Sequence, residues 1–344
     1  MININNYIFE KDLTTKDAGL SRWGLGKRNG KIYFVKEFLW PTYPIDDSLF
    51  SNERKIAIIS LCKEFENKKI ELYRAIHDAS DGNLMIVRQF FRENSKYYIS
   101  TDAVSEPQIS LEALSDYSFI ERLRICCSIA HSIAALHQRG VVHADIKPSN
   151  ILLIKRNQHI QARIIDFDCS FFENDNPKPD EPGERLGIDW VYSSPEAHLH
   201  IDGEEVSLTC KMDVFSLGLV FHQYLAGCLP EYNKTESTRY VWEAVLENQC
   251  LIIDRGIDNS MFSLITRMLQ KDPNDRPDME TVFQTSNHLF LSKTGRTMTR
   301  VSGRSVPKQA FSHDSPLFKH LNHHAEDGTT INETRGSQER CEVV

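Results

Sequence analysis

The feature that most constrains this 344-residue chain is a polar loop between two short β-prone runs. The stretch reads VVHADIKPSNILLI, and it spaces Asp145, Lys147 and Asn150 at fixed intervals after His143. At about 1 in 20 per position, such a four-residue spacing arises by chance in roughly one chain in 500 of this length. A surface turn with a capping Asp and a solvated Lys is the simpler interpretation of Asp145 alone. Asp166 directly follows the β-prone run of residues 163–165. Together with Asn150, it favours a functional polar site instead.

The bulk composition excludes several classes of protein. With 40% hydrophobic and 26% charged residues, the chain has the make-up of an ordinary globular protein. Its net charge of −8 argues against a nucleic-acid partner, because phosphate binding needs clustered Lys and Arg. No apolar run approaches the ~20 residues of a membrane span, and the N-terminus does not resemble a signal peptide. We therefore expect a cytoplasmic protein whose eight cysteines are reduced and, lacking a CxxC pair, hold no metal.

The order of predicted elements indicates an α+β fold. Residues 7–101 are mostly strand-like, with a helical pattern over about 47–78. Asn29-Gly30 separates two β-prone runs and predicts a tight hairpin, which puts Lys36 on a strand. The apolar spacing of residues 118–139 predicts a helix, and helical patterns dominate the later part of the chain. We therefore predict a small β-rich half followed by a larger helical half.

Residues 291–344 differ in character from the rest of the chain. They are rich in Ser, Thr, Asn, His and Gly and show little apolar periodicity, so we predict a polar, disordered tail. From Lys293 to Lys308, basic residues recur among Ser and Thr without an acidic neighbour. This pattern predicts a segment that docks or is autophosphorylated, or alternatively a plain solvated tail.

Further motifs follow the polar loop in a fixed order. They are IIDFD, which ends in Asp168; SSPE, which ends in Glu196; DVFSLG, which begins at Asp213; and DPNDRP, which contains Arg276. This ordered series resembles the eukaryotic-like protein kinase family over residues 7–290, and the Lys two positions after Asp145 resembles its serine/threonine branch. By this resemblance, Glu196 and Arg276 should form a buried ion pair, and Asp213 should anchor the polar loop.

The resemblance implies a bilobal kinase fold, with a β-rich N-lobe at 7–104 and a mainly helical C-lobe at 105–290. It also implies transfer of the ATP γ-phosphate to hydroxyls of a protein substrate, with Mg²⁺ as cofactor. Asp145 would accept the proton of the incoming hydroxyl, and Lys147 would reach the transferred phosphate. Asn150 and Asp166 offer one neutral and one charged oxygen, a pair that suits Mg²⁺.

A nucleotide site on the N-lobe is implied in the same way. Lys36 resembles the lysine that holds the α- and β-phosphates in this family, and a Glu of the following helix should pair with it. Glu66 is our choice, with Glu64 and Glu71 as alternatives.

The remaining nucleotide contacts are expected at the end of the N-lobe and in its phosphate turn. Thr101 stands at the position of the gatekeeper, and backbone groups of Asp102 and Val104 would bond the adenine. The glycine-rich turn is degenerate, because the expected segment holds only Gly19. We place the nearby GxG of Gly24 and Gly26 on the following strand. Fewer glycines leave fewer backbone N–H groups able to approach phosphates.

The chain departs from the family pattern around its activation segment. Ala144 replaces an Arg that, in many relatives, meets a phosphorylated residue of that segment. Residues 171–191 contain no Ser, Thr or Tyr, so the anion's receptor and its site of attachment are missing together. We therefore predict a segment that is ordered without phosphorylation. Asp168 stands where Gly is usual and adds a carboxylate near the metal, and Ile188 or Asp189 lies where a Thr is usual.

Two alternatives to a protein kinase stay open. The degenerate glycine turn and Asp168 also fit a pseudokinase scaffold that binds nucleotide weakly, although every residue needed for phosphate transfer is present. A small-molecule kinase is the second alternative. The SSPE motif and the later Asp272 to Arg276 motif speak against it, because by the resemblance they build a platform for a protein substrate.

Overall fold

The computed structural model describes residues 1–16, 21–45, 50–156, 159–178 and 186–295. The first half is built around an antiparallel six-stranded sheet with the order β1-β2-β3-β4-β6-β5. Its strands are β1 (Ile2–Ile4), β2 (Tyr7–Phe9), β3 (Ser21–Arg28), β4 (Lys31–Phe38), β5 (Val87–Glu93) and β6 (Lys96–Asp102). The β-rich half predicted from the sequence is therefore present, and the short β1 extends it at one edge.

The hairpin between β3 and β4 confirms the Asn-Gly prediction. Asn29 and Gly30 have φ values of 50° and 77°, the left-handed region that a two-residue type I′ turn requires. Gly24 and Gly26 lie within β3, as expected. A Cβ on Gly26 would stand 2.9 Å from the ring of Phe9, so these glycines permit close packing against β2.

Helix α1 (Asn52–Ala79) connects β4 to β5 and packs on the sheet. The Ser51 side chain accepts a hydrogen bond from the Arg54 backbone nitrogen at 3.3 Å, which fixes the first turn. The rings of Phe65 and Tyr73 contact Phe90 of β5, with centroids 6.1 and 5.8 Å apart. These aromatic contacts bury one face of the helix against the sheet.

The second half of the chain is mainly helical, as predicted. Its helices are α2 (Phe119–His137), α3 (Pro195–Ile201), α4 (Lys211–Ala226), α5 (Val241–Leu246), α6 (Asn259–Met268) and α7 (Met279–Thr294). A capping box of Ser118 and Glu121 starts α2, and Gly140 turns the chain after it with a φ of 69°.

Short strands between α2 and α3 hold the polar loop at both ends. β7 (Val141–Val142) pairs antiparallel with β10 (Phe171–Phe172), and β8 (Ile151–Arg156) pairs antiparallel with β9 (His159–Ile164). One 3₁₀ turn, Pro148–Asn150, lies inside the loop, and two more span Glu112–Asp116 and Pro273–Asp275. The loop therefore starts and ends on paired backbone.

The β-rich half and the helical half form the predicted two-lobed α+β architecture. One hydrophobic cluster joins the sheet, α1 and the helical half. Helix α7 continues to Thr294, and the first four residues of the predicted tail thus belong to it. Residues 296–344, which carry the remainder of that prediction, lie outside the described residues. Within the described ranges, none of the helices combines the length and the apolar character needed to cross a bilayer.

Candidate active site

A buried carboxylate of α4 fixes the start of the polar loop. Asp213 accepts hydrogen bonds from the backbone nitrogens of His143 and Ala144 at 2.7 and 2.9 Å, and it lies 2.9 Å from His137 Nε2. Burial by itself would raise the pKa of Asp213, but the hydrogen bond and charge of His137 hold it below its usual value. Ala144 has a φ of 67°, a conformation that costs a residue with a Cβ about 1 kcal/mol. Asp213 thus holds the loop in a strained backbone shape, as the sequence predicted.

Two polar side chains of the loop, Asn150 and Lys147, converge on the Asp145 carboxylate. Asn150 Nδ2 donates to the Asp145 carbonyl at 2.8 Å and to Asp145 Oδ2 at 2.7 Å. Lys147 Nζ lies 3.0 Å from the same Oδ2. Asp145 Oδ1 is buried and has no hydrogen-bond partner among the described residues. Asn150 and Lys147 therefore fix the Asp145 carboxylate through Oδ2.

A second charged cluster faces the loop from the sheet. Lys36 of β4 lies with its Nζ 2.9 Å from Asp166 Oδ1 and 2.6 Å from Asp168 Oδ2, and its side chain is only 7% exposed. Burial would lower the pKa of Lys36, but the two carboxylates raise it above its usual value. The Ile165 backbone nitrogen donates to the Asn150 carbonyl at 3.0 Å, which joins this cluster to the polar loop.

The face of the sheet that carries Lys36 is apolar next to this lysine. Cross-strand pairing sets Trp23 opposite Lys36 and Leu25 opposite Phe34, so these side chains share that face. The rings of Trp23 and Phe34 stack with centroids 5.3 Å apart. Leu25 remains 55% exposed. An apolar surface of this kind, beside a charged cluster, suits a ligand with a flat ring and an anionic end.

The region around Ala144 is apolar where the resemblance expects an Arg and a phosphate. Ala144 belongs to a buried cluster with Leu186, Leu208 and Met212. Nearby, Asp189 Oδ2 lies 3.6 Å from Lys147 Nζ, while Asp189 Oδ1 accepts the Val191 backbone nitrogen at 2.8 Å. Asp189 therefore links the end of the segment to the polar loop.

The end of the segment is fixed by a buried ion pair, which confirms that prediction. Arg276 bonds both carboxylate oxygens of Glu196, at 2.6 and 2.9 Å, and the Arg276 side chain is 0% exposed. Its remaining donors reach the carbonyls of Gln270, Lys211 and Lys271. Every side of the guanidinium is thus satisfied.

Comparison with known proteins identifies the family to which this site belongs. A family model described as "Protein kinase domain" matches residues 52–288, more than half of the chain. The chain belongs to the protein kinase family. This result confirms the resemblance given by the ordered motifs, and with it the fold class.

Curated relatives of this kinase domain are named serine/threonine or calcium-dependent kinases. Calcium-dependent protein kinase 4 of Plasmodium falciparum is 31% identical over 193 residues, which are 53% of this chain and 34% of that protein. Calcium-dependent protein kinase 29 of Arabidopsis thaliana is 27% identical over 295 residues, 84% of this chain and 49% of that protein. The ovarian-specific serine/threonine-protein kinase Lok of Drosophila melanogaster is 29% identical over 200 residues, 53% of this chain and 38% of that protein. The chain spans between a third and a half of the length of these relatives.

Most of the predicted site residues of the kinase come together, and Thr101 is one of them. Thr101 pairs with Phe34 across β4 and β6, on the face that carries Lys36. Asp102 ends β6, where its carboxylate binds Lys31 at 2.6 Å and Arg88. Val104 follows two residues later, outside the strand. Gly19 lies outside the described residues.

The predicted partner of Lys36 is not in place. Glu66 Oε1 accepts a hydrogen bond from the Tyr97 hydroxyl at 2.6 Å, and among the described residues no ion pair joins Glu66 to Lys36. The Glu64 alternative lies 3.3 Å from Lys68 on its own helix, and Glu71 is exposed. Glu66 is instead committed to Tyr97 of β6.

Sequence reasoning missed Lys69 of the same helix. Lys69 Nζ donates to the Asp168 carbonyl at 3.0 Å and lies 5.8 Å from the centroid of the Phe38 ring. A signal was present, because Lys69 precedes the buried Leu72, Tyr73 and Ile76 by three, four and seven residues. That spacing places Lys69 on the buried face of the helix, where a lysine needs a partner.

Proposed function

We propose that the chain is an ATP- and Mg²⁺-dependent serine/threonine protein kinase that transfers the γ-phosphate of ATP to hydroxyls of a protein substrate. The observation that carries this proposal is the Asp145 carboxylate, with Oδ2 held by Asn150 and Lys147 and Oδ1 without a partner among the described residues. Phosphoryl transfer needs mainly positioning and neutralisation of charge. The Asp145 carboxylate supplies the acceptor for the hydroxyl proton, and Lys147 supplies the neighbouring positive charge.

The donor set beside Asp145 fits a magnesium ion. The side-chain nitrogen of Asn150 is committed to Asp145, which leaves its amide oxygen as a ligand. Asp166 contributes a carboxylate whose pKa stays low, because the charge of Lys36 outweighs the effect of burial. Bound Mg²⁺ would neutralise phosphate charge. Lys36 would then contribute a second positive charge to the phosphates.

The apolar face around Lys36 supports ATP as the nucleotide. Trp23, Phe34 and Leu25 offer flat and aliphatic surface to an adenine ring. Thr101, Asp102 and Val104 follow along the same edge, and the backbone of the last two supplies polar groups for the adenine. The side chain of Asp102 is committed to Lys31 and Arg88, so this role falls to its backbone.

We also propose that the activation segment does not depend on phosphorylation; its residues 179–185 lie outside the described part of the chain. Ala144 packs with Leu186, Leu208 and Met212 in the place that an Arg and a phosphate would need. Apolar burial needs no added charge, and a buried unpaired Arg there would be costly. Phosphatase treatment should therefore leave the rate unchanged. A large loss of activity, with phosphate mapped between Asp166 and Glu196, would contradict this part of the proposal.

The transfer itself is tested with purified full-length chain, labelled ATP, Mg²⁺ and a generic basic protein. Asp145→Asn should lower the transfer rate roughly 10²–10⁴-fold while nucleotide still shifts the melting temperature, because Asp145 contacts the hydroxyl and not the adenine. Asp166→Asn should abolish the effect of Mg²⁺. The exposed Asp116→Asn is the matched control and should keep the wild-type rate. Equal labelling in all variants would refute the kinase, and a thermal shift without transfer would favour a nucleotide-binding scaffold.

A further inference from the structure

The carboxylates that contact Lys36 come from the segment after β9 and not from helix α1. Two carboxylates reach its ammonium: Asp166 at 2.9 Å and Asp168 at 2.6 Å. Both are held by the same short stretch of chain, which follows β9. On helix α1, Glu66 bonds Tyr97 of β6, while Lys69 reaches this stretch.

Asp166 is not a dedicated partner of Lys36. In the proposed function its carboxylate is a ligand of the metal, so its contact with Lys36 is shared with that ion. Asp168 makes the shorter of the two contacts with Lys36. A lysine that must hold phosphates needs a carboxylate that stays with it, because an unpaired ammonium that is only 7% exposed is costly.

Lys69 completes the arrangement from the helix. Its Nζ donates to the Asp168 carbonyl at 3.0 Å, so it holds the backbone of the residue whose side chain holds Lys36. Lys69 also sits against the Phe38 ring of β4, the strand that carries Lys36. The helix therefore still controls the position of Lys36, but through a lysine and a carbonyl instead of a glutamate.

We propose that Asp168 is the positioning residue for Lys36 and that Lys69 of α1 holds the Asp168 backbone, so that the segment supplies the carboxylate and the helix supplies a lysine. This inference rests on the proposed function for its meaning in phosphate transfer. The contact itself is independent of that function, and the two are tested separately.

The contact is tested by double-mutant cycles in urea unfolding of the full chain. Lys36→Met and Asp168→Asn should couple by at least about 5-fold in the unfolding equilibrium constant, as contacting residues do. Lys36→Met with Glu66→Gln should couple less than about 2-fold. Asp175→Asn, on the same segment but paired with Lys68, is the matched control. Coupling to Glu66 in place of Asp168, or to neither, would overturn the inference.

A second measurement covers the case in which Lys36→Met does not fold. Acetic anhydride acylates unprotonated amines, so the loss of a carboxylate neighbour should speed the labelling of Lys36 in Asp168→Asn, as followed by mass spectrometry. Asp175→Asn should label Lys36 at the wild-type rate. An unchanged rate in Asp168→Asn would overturn the assignment.

Kinetics then separate this inference from the proposed function. Asp168→Asn should lower kcat by roughly 10-fold or more, with a smaller change in the KM for ATP, and Asp168→Glu should recover part of the loss. A wild-type chain that transfers no phosphate would refute the kinase, while the coupling and labelling would still decide the contact. Full activity of Asp168→Asn in a chain that does transfer phosphate would refute Asp168 alone.

Discussion

The sharpest test of the loop's architecture is the replacement of Asp213 by Asn. Asp213 is fully buried and accepts two backbone N–H groups, from His143 and Ala144, in addition to its contact with His137. Asn has one acceptor oxygen, so one of the two N–H groups must face an amide NH₂. An unsatisfied buried donor costs about 1–3 kcal/mol, and each remaining bond loses its charge assistance. We expect Asp213→Asn to lower the free energy of unfolding by about 3 kcal/mol.

The pH dependence of the free energy of unfolding tests the role of Asp213 in a second way. The pKa of Asp213 is lowered in the folded chain, although burial opposes the shift. In the unfolded chain an Asp has a pKa of about 3.9. The contribution of ionised Asp213 to the free energy of unfolding is therefore complete above about pH 3.9. It is lost as the pH falls through the lower pKa of the folded chain. The difference between wild type and Asp213→Asn should thus be constant near neutral pH and shrink below about pH 4.

Urea unfolding, followed by fluorescence between pH 3 and 8, measures both quantities. The exposed Asp116→Asn is the control and should stay within about 0.5 kcal/mol of wild type. A loss below about 1 kcal/mol at neutral pH would refute the reasoning, since it would mean that the loop N–H groups find other partners. A difference that grows as the pH falls would refute the assigned direction of the pKa shift.

Three further predictions concern stability. Arg276→Met leaves the Glu196 carboxylate buried without its partner and should cost about 3–5 kcal/mol in urea unfolding; a near-neutral effect would contradict the ion pair. Gly26→Ala places a Cβ 2.9 Å from the Phe9 ring and should cost about 1–3 kcal/mol in the same assay; an unchanged free energy of unfolding would contradict the close packing. Burial lowers the pKa of His198 to about 4, so the unfolded chain binds a proton at a higher pH than the folded chain does. The free energy of unfolding should therefore decrease as the pH is lowered from about 6.5 to 4. His198→Gln should flatten that slope in thermal unfolding, and an unchanged slope would contradict it.

Elements fixed by local chemistry were predictable from the sequence. Asn29-Gly30 needs left-handed backbone, which two such residues adopt at little cost, and the hairpin follows from it. The polar loop was predictable for another reason, because its chemistry needs particular side chains at a particular spacing. The buried Glu196–Arg276 pair was implied by resemblance and is present at 2.6 Å.

The orientation of α1 could not be predicted in the same way. The middle of the helix mixes acids and bases within eight residues: Glu64, Glu66, Lys68, Lys69 and Glu71. The charge pattern therefore does not show which face of the helix is buried. Apolar residues are scattered around the helix, and only their burial in the folded chain shows which face is inside. The choice among three glutamates therefore depended on tertiary packing. It failed because the helix turns a lysine toward the site.

The loss of the Arg at position 144 and the gain of the Asp at position 168 belong to one physical argument. An Arg beside the loop is useful when a phosphate arrives, and it is a liability in an apolar cluster such as that of Leu186 and Met212. The loop is held here by the hydrogen bonds of Asp213 and by the apolar cluster that Ala144 forms with Leu186. We propose that the segment needs no phosphorylation, and a segment of that kind can carry the carboxylate that holds Lys36. In a segment that moved with each phosphorylation, the same carboxylate at position 168 would leave Lys36 whenever the segment moved. An ordered segment and an anchor placed upon it are therefore consistent with each other.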